Sequence, residues 1–329
     1  MMILRTQRSV SSVARVMGAA ALMIAVAACS TSQEVNPAAG AANGVARDRG
    51  IPVVATVPHL TATLKLRLPL DDYLWSVDDL TRISLARRAI INRCLQGFGV
   101  DVVLPRPVTG IGPRTWMERR YGLTDSRDAA LVGYGLGERD PSKQPRESDP
   151  DLSPIALAVL TGEGAALTRG RPLPTGGCSE EAHRVLNGRA SGKDHKADTF
   201  LPQRLSMESF ELSRRDPRMV EAFDTWSACM RAAGHHYEDP LAPFTDKSAQ
   251  GVTQFAIDTA IDDVKCKKRT NLVGIWYAVE SAYQNVLIED HRTELDTVAT
   301  ANAATSEVVE RVLVGAKKSG SSPRRPIRR

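Results

Sequence analysis

Nothing in this 329-residue chain offers an apolar run that could serve as a permanent membrane span, which takes about 20 residues. The candidate run, Met17–Ala28, has twelve residues and is interrupted by Gly18. No two cysteines lie at Cys-x-x-Cys spacing, which speaks against a structural zinc site. There is no Gly-x-Ser-x-Gly elbow, no His-Glu-x-x-His pair and no two-lobe βαβ alternation. The familiar signatures of serine hydrolases, zincins and periplasmic ligand-capture folds are therefore missing. No catalytic residue, metal ligand or cofactor site is assigned from the sequence. Acidic residues are absent from the two ends of the chain. Residues 1–29 hold three arginines and residues 317–329 six basic side chains. These nine charges exceed the formal net +5, so residues 30–316 carry a net −4. The basic balance is peripheral and gives no argument for nucleic-acid binding.

The N-terminus has the form of an export signal. Arg5, Arg8 and Arg15 precede the apolar run, which closes on Val26-Ala27-Ala28-Cys29-Ser30. This resembles a bacterial lipobox, and the expectation is cleavage before an acylated Cys29. An ordinary signal peptide cut after an Ala-x-Ala pattern is the alternative. A diacylglyceryl group provides two chains, enough for stable anchoring. The expected location is the outer face of the cytoplasmic membrane, an oxidising compartment with little ATP or NAD. Residues 30–50 are poor in large apolar side chains and read as a flexible tether with a reach of roughly 25 Å.

The body reads as mainly α. Thr63–Leu68 alternates apolar and polar and predicts a half-buried strand before Pro69, and Val100–Leu104 a second short strand. Ser76 with Asp78 and Asp79 opens a helix whose apolar stripe is Leu80, Ile83, Ile90 and Cys94, supported by Ala86 and Ile91. Residues 106–150 are rich in Pro, Gly and charge and hold one short helix near Asp125–Val132. Ser179 is the expected cap of a helix to Leu186, and Asp216-Pro217 opens one that stops at Gly234. Thr245 or Asp246 is expected to open the next, with Ile257, Ala260, Ile261 and Val264 on one face. Leu272–Val314 contains no proline and predicts one helix of about 40 residues, roughly 60 Å long. Its distal seam (Leu295, Val298, Asn302, Thr305, Val309, Val312) is thin and predicts weak coiled-coil pairing or projection from the body. The expected organisation is leader 1–28, lipidated Cys29 and tether 29–50, a stapled helical domain 51–290, the distal helix 291–316 and a basic tail 317–329.

Four cysteines remain once Cys29 is assigned to the anchor: Cys94, Cys178, Cys229 and Cys266. Two of them open the same pattern. Cys94 and Cys229 are each followed directly by a bulky apolar residue, by Gly five residues on and by Pro eleven residues on. The repeat reads as a pair of helix ends, each bridged to a later cysteine in its own half. It favours Cys94–Cys178 and Cys229–Cys266 over the two other connectivities. His235 and His236, followed by Tyr237, Glu238 and Asp239, are a possible metal corner, but neighbours in an extended segment point to opposite sides. His59, His183, His195 and His291 stand alone. Gly188–Asp194 is a defective phosphate loop that ends in Asp and follows no strand.

The motifs Trp226-Ser-x-Cys-Met-x3-Gly-x2-Tyr-x2-Pro240, Gly176-Gly-Cys-x-Glu-Glu-Ala182 and Arg120-Tyr-Gly-Leu-Thr-Asp125 resemble a family of actinobacterial exported proteins and lipoproteins. So does Asp263-x2-Cys266 leading to Trp276, and the resemblance spans roughly residues 66–300. Leu95 stands where Met would match Met230. The resemblance implies a shared fold and export, and it carries over no catalytic residue. The expected function is non-catalytic binding or scaffolding in the cell envelope, through loop 106–154 and the C-terminal helix. The basic tail is the candidate contact for anionic lipid or wall polymer. The alternative is an envelope hydrolase with its site within residues 106–200.

Overall fold

A computed structural model describes residues 50–144, 152–163, 172–188 and 197–320, with side chains to residue 316. Cys29, the expected leader and tether, His195, Arg189–Asp194 and residues 321–329 lie outside the described residues. Nine α-helices are present among the described residues: α1 (Val77–Gly97), α2 (Ser126–Val132), α3 (Pro154–Thr161), α4 (Gly177–Asn187), α5 (Leu201–Arg214), α6 (Pro217–Ala232), α7 (Gln254–Thr270), α8 (Leu272–Asp290) and α9 (Arg292–Gly320). No strand occurs among them.

The two expected strands fail because side chains, and in the first a local turn, already serve their backbone. Thr63 N–H donates to Thr124 Oγ1, Leu66 N–H turns back to Thr63 O, and Leu68 N–H donates to Asp71 Oδ2. Tyr277 Oη donates to Arg67 O. In the second case Leu104 N–H donates to Asn92 Oδ1, and Arg88 Nε reaches Leu104 O. A helix face supplies what a partner strand would have supplied.

Most helix starts follow the sequence. Ser76 and Asp79 form a capping box on α1, Asp125 caps α2, and Asp216 caps α6 with Pro217 at its first position. Two starts differ. The cap of α4 is Gly176, not Ser179. Asp246 caps a short 3-10 turn, and α7 starts later, behind Thr253. Helix α5 was not expected at all: it buries Leu201, Pro202 and Leu205 in its first turns but Ser206, Ser209 and Ser213 further on, so no apolar stripe runs its length.

The long terminal helix is interrupted. His291 leaves helical geometry (φ −119°, ψ 23°), and the chain restarts as α9. That break turns α9 back onto α1 and α4 rather than out into solvent. Leu295, Val298, Ala301, Thr305, Val308 and Val309 are all buried. The thin seam is a core contact, because its small residues allow close approach to α1.

Two main cores result. One joins Ile90, Ile91 and Leu95 of α1, Val159 of α3, Ala182 and Leu186 of α4 and Val309 of α9. The other centres on Trp226 and Trp276, with Met219, Met230, Tyr121 and Leu272. Each holds one disulfide, Cys94–Cys178 in the first and Cys229–Cys266 in the second. The repeated cysteine pattern is a real structural repeat. Val100 N–H bonds Leu95 O at 3.0 Å, and His235 N–H bonds Met230 O at 2.9 Å. Gly99 (φ 74°) and Gly234 (φ 90°) supply the left-handed residue that this helix ending requires. Leu95 and Met230 are fully buried, which explains the bulky residue after each cysteine.

Candidate functional site

Two surface depressions share the segment 64–72. One is an open groove of about 560 Å³ between Val53–Pro58 and the α8 face of Tyr277, Ser281 and Asn285. The other is a cleft of about 190 Å³ lined by Lys65, Trp75, Asp78, Arg114 and Trp116, among others. The cleft holds both tryptophans that are not in the core. Trp116 is 50% exposed, yet its indole is fixed, with Nε1 donating to Trp75 O at 2.8 Å. An aromatic face held open to solvent is a ready stacking platform. Lys65 at the rim is exposed and has no ion-pair partner among the described residues.

The segment carrying Trp116 has no regular structure, so side chains fix it. Glu118, 5% exposed, is the hub. Arg139 Nη1 and Nη2 donate to its two oxygens at 3.1 and 2.8 Å, and Arg114 Nε and Nη2 donate to Oε1 at 3.1 and 2.8 Å. Arg114 N–H also donates to Oε2, and Thr63 Oγ1 donates to Glu118 O at 3.2 Å. Arg114 continues to Asp128 on α2 at 3.2 Å. Burial works against the Glu118 charge, but the bonds from Arg139 and Arg114 outweigh it and hold the carboxyl below its ordinary 4.5.

A depressed folded value means that this carboxylate stabilises the fold above pH 4.5, and that the stability is lost as pH falls through the folded value. Glu118→Gln is therefore expected to cost about 1–3 kcal/mol at neutral pH. Its melting temperature should fall less steeply below pH 4.5 than that of the parent, the two curves converging in acid. Parallel curves from thermal scans across pH would show that Glu118 is not the group responsible.

Behind the cleft lie two buried charged networks. Glu280 of α8, with no exposure, receives Arg120 Nε at 2.9 Å, Tyr121 Oη at 2.8 Å, Ser209 Oγ at 3.3 Å and Gln284 Nε2 at 3.2 Å. Arg120 Nη2 also donates to Ser206 O at 2.7 Å, which binds α5 to the loop. In the second network Lys267 Nζ donates to Asp263 Oδ2 at 2.8 Å and to Leu123 O at 3.1 Å. Trp226 Nε1 donates to Asp263 Oδ1 at 3.0 Å, and Tyr134 Oη lies 3.3 Å from Oδ2. The motif residues Arg120, Tyr121, Trp226, Asp263 and Trp276 thus meet in the interior as fold determinants.

The histidines separate as their spacing implies. His235 is buried, 3.3 Å from Asp262 Oδ2 and 3.3 Å from Thr259 Oγ1, while His236 is exposed. No group of three metal-ligating side chains occurs among the described residues. His183 is exposed beside Glu180, His59 is exposed, and His291 sits at the α8–α9 break. Sequence reading did not single out Trp75, Trp116, Arg114 or Glu118, because they lie in irregular chain where periodicity carries no signal. No described helix is long and apolar enough to cross a membrane. Compared with protein-family models, curated proteins and solved structures, the chain matches none, and its function is read from its own residues.

Proposed function

We propose that the protein is a lipid-anchored, non-catalytic binding protein of the cell envelope, tethered through acylated Cys29 on the outer face of the cytoplasmic membrane. Its contact site is the cleft between Trp75 and Trp116. The observation that supports this reading is the fixed, half-exposed indole of Trp116, held by Trp75 O and backed by the Glu118 hub. Such a surface loses little conformational freedom when a ligand stacks on it. The export signal and two disulfides suit an extracytoplasmic setting. The apolar seam of α9 is engaged within the fold, so any envelope partner of that helix meets its polar outer face. The basic residues of 317–329 are the proposed contact for anionic lipid or wall polymer. Binding is preferred to hydrolysis within 106–200 because Glu118, the buried carboxylate among the described residues of that region, is taken up by two guanidinium groups.

The test uses the contrast among the four tryptophans. Trp226 and Trp276 are fully buried, so acrylamide quenching of the intact protein reads Trp75 and Trp116. Fractionated envelope glycan, peptide and lipid extracts should include one that protects the parent protein. Trp116→Ala should abolish that protection while leaving the thermal midpoint unchanged. Protection by no fraction would overturn the binding reading. Membrane release of Cys29→Ser separately tests the anchor.

A further inference from the structure

The segment Ile51–Pro58 runs without turn or bend along the edge of the molecule. Asn271 pins its end. This residue adopts the left-handed conformation (φ 52°) between α7 and α8, its Nδ2 donates to Pro58 O at 2.9 Å, and its Oδ1 accepts from Leu60 N–H at 3.0 Å. Gly274 completes the seat, since a Cβ there would lie 1.9 Å from Pro58 O. From Ile51 to Val57, by contrast, no backbone group bonds to another described residue. Ile51 (59%), Val53 (89%) and Val57 (49%) are exposed, as are Ala55 and Thr56, whereas Pro52, Val54 and Pro58 are half-buried.

In an extended chain the N–H groups of alternate residues point to opposite edges. The edge formed by Pro52, Val54, Thr56 and Pro58 lacks two of its four donors. The edge formed by Ile51, Val53, Ala55 and Val57 keeps all four, and none of residues 51–58 is charged. An edge whose donors meet no partner among the described residues, with apolar side chains and no charge, is a template for strand pairing.

We infer that this edge pairs with the same edge of a second copy of the chain, as an antiparallel two-stranded ribbon. The segment is self-complementary in that register. A two-fold axis at Val54 sets Ile51 opposite Val57 and Val53 opposite Ala55. Every hydrogen-bonding residue of the free edge then faces another, and the outward side chains form apolar cross-strand pairs. Two strands alone make a weak ribbon. The association is therefore a weak, reversible dimer, and it does not depend on the anchor reading.

Sedimentation of the full chain in mild detergent, from micromolar to millimolar concentration, tests the pairing. The parent should show a concentration-dependent dimer. Val53→Pro removes a donor from the free edge and should weaken association at least about tenfold. Thr56→Pro removes one from the edge already interrupted by proline and should leave association within about twofold. Equal thermal midpoints of both variants and the parent confirm intact folds. In a Cys29→Ser background, Val53→Cys/Ala55→Cys should cross-link between chains under mild oxidation, since hydrogen-bonded pairs place Cα atoms about 5.5 Å apart. Each single substitution should cross-link far less. A monomer at all concentrations, equal effects of the two prolines, or equal cross-linking by the singles would overturn the inference.

Discussion

Replacing Cys94 and Cys178 together by alanine is expected to lower the unfolding free energy by about 4–5 kcal/mol, the larger of the two disulfide effects. The bridge closes a sequence separation of 84 residues, against 37 for Cys229–Cys266. On the chain-entropy account the shorter loop contributes about 4 kcal/mol, so loop length alone separates them only slightly. Position widens the difference. Cys94 and Cys178 join α1 to α4 across a connection whose described residues hold only the short helices α2 and α3 and two 3-10 turns, and their core is mostly aliphatic. The second bridge sits beside Trp226 and Trp276, where large aromatic surfaces and the Asp263 network already hold α6, α7 and α8 together. Typical domains have a net stability of 5–15 kcal/mol, so the first loss consumes a large fraction of it. Urea unfolding of the two double-alanine variants against the parent measures the difference. A loss below about 1 kcal/mol for Cys94→Ala/Cys178→Ala would show that packing, not the bridge, holds α4 on α1.

Much of this architecture could be read from local chemistry. Ser76, Asp125 and Asp216 announce helix starts because a capping side chain acts within three residues of itself. The two Cys–Gly–Pro repeats marked equivalent helix ends for the same reason: the left-handed glycine and the buried residue after the cysteine belong to one turn of chain. Where the outcome depended on distant residues, local pattern misled. The alternation at Thr63–Leu68 is that of a strand, but Thr124, Asp71 and Tyr277 take its backbone groups. Helix α5 was hidden because its apolar burial stops at Leu205, and Ser209 and Ser213 beyond it meet Glu280, Gln284 and the Trp276 indole rather than an apolar neighbour. The single helix expected over Leu272–Val314 is two, α8 and α9, and the role of the distal part differs as well. Nothing in Leu272–Val314 signals the break at His291, since no Gly or Pro stands there. The candidate cleft was the least legible part. Trp116 becomes a platform only because Arg139, some twenty residues on, joins Arg114 on Glu118 and locks an irregular loop.

The same distant control sets the second large effect. Lys267 and Asp263 are one helical turn apart on α7, a spacing that on a surface gives an unremarkable i, i+4 pair. Here their side chains are 1% and 0% exposed. Burial pushes the Lys267 ammonium down from 10.5 and the Asp263 carboxyl up from 3.8, each opposed by the other's charge. Space for the amine is made by Gly122 (φ 81°), where a Cβ would come within 2.5 Å of Nζ. Lys267→Met keeps the bulk and removes the charge. It strands Asp263 and leaves Leu123 O without its donor, so the expected loss is about 3–5 kcal/mol at neutral pH. The penalty should be pH-dependent with a defined sign. An acid whose folded value is raised takes up its proton more readily in the native state, so the variant should regain stability as pH falls from that value towards 3.8. The parent, with the charge paired, should regain less. Adding Asp263→Asn should rescue the variant by more than about 1 kcal/mol, since an amide oxygen still accepts from Trp226 Nε1 and no charge is left buried. Chemical denaturation of the parent, Lys267→Met and the double variant across this pH range decides the matter. A double variant less stable than Lys267→Met would show that the lost lysine contacts, and not the stranded carboxylate, carry the cost.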